Sequence, residues 1–224
     1  MQTRNSLHLY LIALIIAAIV IPFALSRSVQ AQVVPAAVTE TSARNLLLPA
    51  RQDASIAQSA PNQNFGAAPN LIVGRQGIDL VAESAALLQW DLSAFPVGTQ
   101  LGSAEIGLFQ TISGTGPVLI YQLFAPWDAQ TVTWATQPGA EIYDRTWIPS
   151  LQTGQYEWHD VSKLVDQWVN SFGNPPNYGV LLRNNDVGPG AVHAFASLEA
   201  PDRNPPLLRI NYTLPPIRVC VDQA

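Results

Sequence analysis

Strand-length apolar runs, separated at nearly regular intervals by Gly, Pro and Asn clusters, recur along this 224-residue chain. The clusters are Asn62-Gln63-Asn64-Phe65-Gly66, Pro96-Val97-Gly98, Ser113-Gly114-Thr115-Gly116-Pro117, Gly173-Asn174-Pro175-Pro176-Asn177 and Gly188-Pro189-Gly190. Between and around them lie Ala85–Leu92, Ala104–Ile112, Val118–Phe124, Gln155–Val161, Tyr178–Arg183, Ala191–Leu198 and Leu207–Thr213. Short strands broken so often by turn residues predict an antiparallel sandwich or barrel. Their alternation is approximate, as expected where one face is buried and the other carries small apolar residues.

One segment departs from this period. Val161, Leu164, Val165, Trp168 and Val169 recur at helical spacing, which predicts one amphipathic helix over about 161–171 with Trp168 in the core. Asp160 or Ser162 is the expected cap, and Gly173 to Pro176 the expected stop. The helix is expected to cover an open end of the sandwich.

Residues 7 to 25 are apolar apart from His8, follow Arg4 and lead to Val29-Gln30-Ala31, the pattern of a cleaved export signal. An uncleaved anchor is the alternative, since about 20 apolar residues span a bilayer. Either reading puts the rest of the chain outside the cytoplasm. After residue 31 come a linker over 32–44, a domain over 45–214 and a tail over 215–224. The absence of a catalytic run after the last strand predicts a module standing alone.

Removing residues 1–31 leaves nine basic residues against 16 acidic ones, a net charge of −7. That sign opposes binding to nucleic acid and other polyanions, which depends on release of their counterions by Lys and Arg. The lone cysteine, Cys220, cannot form an internal disulfide, so stability must come from packing. Thiolate clusters for zinc or iron–sulfur are also excluded.

The ordered runs resemble the DNRLRE domains of secreted proteins, a group that includes the family 96 carbohydrate-binding modules. The carrying pieces are Asp53-Ala54-Ser55-Ile56, Asn62 to Gly66, Leu71-Ile72-Val73-Gly74, Ala86 to Ser93 with Pro96-Val97-Gly98, and Ser103 to Leu108. Trp127, Thr131-Val132-Thr133-Trp134 before Gln137-Pro138, and Asp160-Val161 continue the series. Tyr178 to Arg183, Phe195 to Glu199 and Pro206 to Tyr212 close it, so the likeness covers roughly residues 48 to 213. The resemblance implies an all-β jelly-roll sandwich and, for some members, polysaccharide binding as an appendage to a larger enzyme. The family often has arginine where this chain has Leu198, before Glu199. With one lysine and an acidic balance, the expected partner is an extracellular neutral polysaccharide.

Indole faces match the C–H faces of pyranose rings, so exposed tryptophans are the natural platforms. Trp90, Trp134 and Trp168 are expected in the core, while Trp127, Trp147 and Trp158, beside turns or polar neighbours, are the platform candidates. Jelly-roll modules often carry calcium on oxygen ligands, for which Asp53, Asn62, Asn64 and Asp160 are the candidates, with Glu199 nearby in motif. The same groups could equally satisfy backbone N–H groups at turns.

Glu157-Trp158-His159-Asp160 is the richest titratable cluster. On a strand Glu157 and His159 share one face and Asp160 takes the other, which does not favour a paired acid and base. Phosphate-loop and nucleophile-elbow patterns are absent. A non-catalytic carbohydrate-binding module is therefore expected. A structural or adhesive surface protein is the main rival, and a polysaccharide-degrading enzyme using the Glu157 to Asp160 cluster is a weaker one.

Overall fold

The structure is a computed structural model that describes residues 42–76, 82–172, 175–186, 188 and 190–216. The expected export signal, most of the linker and Cys220 lie outside the described residues. Eleven strands form: β1 (Arg44–Pro49), β2 (Gln52–Ala57), β3 (Asn70–Gln76), β4 (Ala82–Gln89), β5 (Gln100–Ile112) and β6 (Val118–Leu123) come first. β7 (Ala140–Trp147), β8 (Gln155–Asp160), the helix α1 (Ser162–Asn170), β9 (Val180–Arg183), β10 (Val192–Ala196) and β11 (Leu207–Thr213) follow.

Every pairing between strands is antiparallel. One layer runs β2-β4-β9-β6-β7, and the other runs β1-β11-β5-β8. β3 and β10 pair with each other and join the layers: β3 takes the start of β4 beyond β9, and β10 takes the end of β5 beyond β11. The result is one curled sheet folded into the expected antiparallel β-sandwich of jelly-roll type.

Between the layers, alternate residues of each strand meet. Ala86 and Leu88 of β4, Ala104, Ile106 and Leu108 of β5, Ile120 of β6, and Leu208 and Ile210 of β11 all enter one core. Phe195 and Trp147 fill its centre, with rings 6.1 Å apart. Burying side chains of this size supplies ~1.5–3 kcal/mol each before entropy is counted.

α1 plugs one end of the sandwich, with Leu164, Val165, Trp168 and Val169 buried. It is the only helix among the described residues, and none there is long and apolar enough to cross a membrane. Its N-cap is Val161 and carries no side-chain cap, contrary to the expected Asp160 or Ser162. The reason lies in β8, whose ladder runs on through the Val161 N–H to the Ala104 carbonyl, so an apolar core residue occupies the cap position. Asp160 Oδ1 instead accepts from the Ser162 N–H at 2.8 Å, and Ser162 Oγ accepts from the Ala104 N–H at 2.8 Å. The helix thereby hangs from β5. The opposite end is closed by the β3–β10 pair.

The outer faces of the two layers differ. On β4, Ala85 and Leu87 point away from the main core, yet both are buried. With Ala54, Ile56, Leu123, Val132 and Leu181 they form a second apolar cluster under the β6–β7 connection, residues 124–139. Asn64 holds this cover down by donating to the carbonyls of Ala129 and Val132 at 2.8 and 2.7 Å. Gly66 lies so close beneath it that a Cβ there would sit 1.9 Å from the Ala129 oxygen. The outer face of the β1-β11-β5-β8 layer has no such cover among the described residues.

Candidate functional site

Period-two alternation fixes what the open face presents. Ser103, Glu105, Gly107 and Phe109 of β5 point outward because Ala104, Ile106, Leu108 and Gln110 are buried inward. The register then brings Leu207 and Trp158 level with Gly107, Arg209 and Asp160 level with Glu105, and Tyr156 level with Phe109. On the outer strand, Leu47 lies beside Arg209 and Asn45 beside Asn211.

Small meets large at the centre of this face. The six-membered ring of Trp158 leans over Gly107, where a Cβ would stand 2.4 Å from Cζ3, so only glycine admits the indole in this position. Tyr156 stacks beside Trp158 with centroids 5.6 Å apart, and Phe109 meets Tyr156 edge-on at 5.5 Å. The Tyr156 hydroxyl donates to the Pro205 carbonyl at 3.0 Å, fixing its ring. All three aromatics are partly exposed.

Arg209 completes the row. Its guanidinium lies 4.1 Å from the Trp158 ring centroid, a cation–π contact; Nε donates to Glu105 Oε2 at 2.9 Å, and Nη2 lies 2.8 Å from the same oxygen. Beside this pair, Asn211 donates to Asn45 Oδ1 at 2.9 Å. The face therefore carries an apolar band edged by planar polar groups, the composition that suits a ring with one C–H side and one hydroxyl side.

The three expected platform tryptophans separate. Trp158 is on the open face, although Arg209 covers part of its ring. Trp127 belongs to the cover of the other layer: its Nε1 donates to the Tyr178 carbonyl at 2.8 Å, and its body packs on the second apolar cluster. Trp147 is a correction, because it is 3 % exposed and lies in the main core, stacked on His159 at 5.2 Å. It ends β7, a strand whose charged residues Glu141, Asp144 and Arg145 concealed the inward turn of this one large side chain.

The four oxygen donors proposed for calcium do not converge. Asp53 and Asn64 line one cleft of about 600 Å³, together with Arg51, Asp128 and Glu199. Asn62 and Asp160 are not among its walls, and Asp160 is taken up by Ser162 across the sandwich. Asn64 spends its amide on the cover and accepts from the Gly66 N–H at 3.1 Å. Among the described residues no three His, Cys, Asp or Glu gather in metal-binding array. These four residues do not fit a calcium cage.

Asp53 instead closes the edge where the chain crosses from β1 to β2. It faces inward, is 1 % exposed, and its Oδ2 accepts from the Leu198 N–H at 2.9 Å. Burial pushes its carboxyl up to about 7, opposed by that N–H and aided by the neighbouring Glu199 carboxylate.

The Glu157 to Asp160 cluster is likewise tied into the frame. His159 Nε2 lies 2.5 Å from Asp144 Oδ2, which joins β8 to β7 and closes the other edge of the sandwich. Burial would raise Asp144, but hydrogen bonds from His159 and Thr146 hold it below the usual carboxylate range. Glu157 accepts from the Ser150 N–H at 3.0 Å and its hydroxyl at 2.6 Å. His193 is fully buried, accepts from the Gly114 N–H at 3.2 Å, and is pushed below the ordinary imidazole range by burial.

Sequence reasoning missed Phe109, Tyr156, Arg209 and Glu105. The signal was present in Ser103-Ala104-Glu105-Ile106-Gly107-Leu108, where strict alternation marks a strand with one open face.

The fold is an antiparallel β-sandwich of jelly-roll type with one sheet face free of covering chain among the described residues. Residues 45–212 match carbohydrate-binding module family 96, and the chain belongs to that family. No curated protein matches it.

Proposed function

We propose that this chain is a secreted module that binds a neutral extracellular polysaccharide on the open face of the β1-β11-β5-β8 layer. Membership of a carbohydrate-binding family supports the ligand class. The carrying observation for the position is the row Phe109, Tyr156, Trp158 and Arg209, which lies on the one layer whose outer face is uncovered among the described residues. The charge of this face supports a neutral ligand. On this face the Arg209 cation is already paired to Glu105, and Asp160 stands level with that pair, so a polyanion meets no free positive charge among these groups.

Affinity electrophoresis through a panel of soluble neutral and acidic polysaccharides tests this. The wild type should be retarded by a neutral polymer and not by acidic ones. Trp158→Ala should abolish the retardation while retaining the circular dichroism of the folded sandwich. Retardation that survives Trp158→Ala would place binding elsewhere, and no retardation on any polymer would favour the structural or adhesive alternative.

A further inference from the structure

The Arg209–Glu105 pair meets through one carboxylate oxygen rather than two. Both contacts from the guanidinium converge on one carboxylate oxygen, Glu105 Oε2. Among the described residues, Glu105 Oε1 and Arg209 Nη1 have no hydrogen-bond partner. An acceptor and a donor thus stand side by side on an exposed sheet face, held by a contact of 2.8 Å and by the Trp158 ring under the guanidinium. The two side chains are 47 % and 31 % exposed.

Resting on the binding face proposed above, we infer that Arg209 and Glu105 together recognise a vicinal diol of a neutral sugar ring. One hydroxyl accepts from the guanidinium and its neighbour donates to the carboxylate oxygen. Gauche vicinal hydroxyls are spaced much like hydrogen-bonded heavy atoms, so they bridge such a pair without separating it. The C–H side of the ring then lies along Tyr156 and the part of the Trp158 indole that Arg209 leaves open. Glycans linked 1,4 keep the O2–O3 diol on every internal ring, whereas 1,3-linkage removes every internal vicinal diol. The site therefore selects by linkage position.

The test is calorimetric titration of the full chain with paired linear 1,4- and 1,3-linked oligosaccharides of glucose, galactose and xylose, as methyl glycosides 3-O-methylated at the non-reducing end so that no terminal vicinal diol remains there. At least one 1,4-linked series should bind about tenfold or more tightly than its 1,3-linked partner, the scale of one charge-assisted hydrogen bond. Glu105→Ala, checked for the circular dichroism of the folded sandwich, should bring that ratio close to one. Arg209→Lys should do the same, because a point charge cannot replace the fork. Equal binding of both linkages, or a ratio unchanged in Glu105→Ala, overturns diol recognition and leaves carbohydrate binding standing. Binding of none of these oligosaccharides, or of the neutral polymers above, overturns both.

Discussion

Asp53→Asn should stabilise the sandwich at neutral pH and change little in acid. The folded carboxyl titrates at about 7 against 3.8 for the unconstrained group, so the folded state holds this proton more tightly than the unfolded chain does. The contribution is therefore most favourable below pH 3.8, declines as pH rises towards 7, and is fully lost above it. At about 1.4 kcal/mol per tenfold change in proton affinity, the charged carboxylate costs about 4 kcal/mol at pH 8 as an upper limit. Asparagine keeps an oxygen for the Leu198 N–H and offers Glu199 a donor in place of a like charge. Urea unfolding of wild type and variant across pH 4 to 8 measures the difference. The variant should be ahead by about 2–4 kcal/mol at pH 8 and by nearly nothing at pH 4. Buried His193 acts in the opposite sense, losing stability as pH falls below the ordinary imidazole range, but it is common to both proteins and cancels. A difference that does not vary with pH, or a variant less stable at pH 8, would refute the reasoning.

Trp147→Ala should cost about 3–5 kcal/mol in urea unfolding, because it empties the core between Phe195 and His159, and it should leave glycan affinity per folded molecule unchanged. Asn64→Ala leaves the Ala129 and Val132 carbonyls without their donor. It should cost about 1–3 kcal/mol and speed proteolysis within residues 124–139, with amide exchange in β5 and β11 unchanged.

The strands and the helix were legible where one period dominated. β11 and β5 alternate, and α1 carries its apolar face at helical spacing, so Ser162–Asn170 falls within the expected 161–171. The unread elements lacked a period of their own. β7 is a charged edge strand that buries one end residue, Trp147, and only pairing with β6 defines it. Helix capping failed for a related reason: a strand ladder running into Val161 outweighed the local preference for a polar cap. Among the platform candidates, neighbouring residues were a poor guide, since Trp127 and Trp158 both stand among polar groups. What separates them is position: Trp127 lies in the segment that folds over one sheet, and Trp158 on a strand of the other.

That decision is itself written in the strands. β4, Ala-Glu-Ser-Ala-Ala-Leu-Leu-Gln, is buried from Glu83 to Leu88 without alternation, as a strand covered on both faces must be. β5 alternates through Ser103 to Leu108 because its outer face is meant for water or for a ligand. Gly107 sharpens the distinction. Glycine weakens a strand interior by roughly 0.5–1 kcal/mol relative to alanine, and nothing in the main core needs it, because it points outward. It is explained by Trp158, whose ring occupies the space a Cβ would take and so lies where Arg209 can stack on it. The stability given up at Gly107 places the aromatic band and the Arg209–Glu105 pair on one surface.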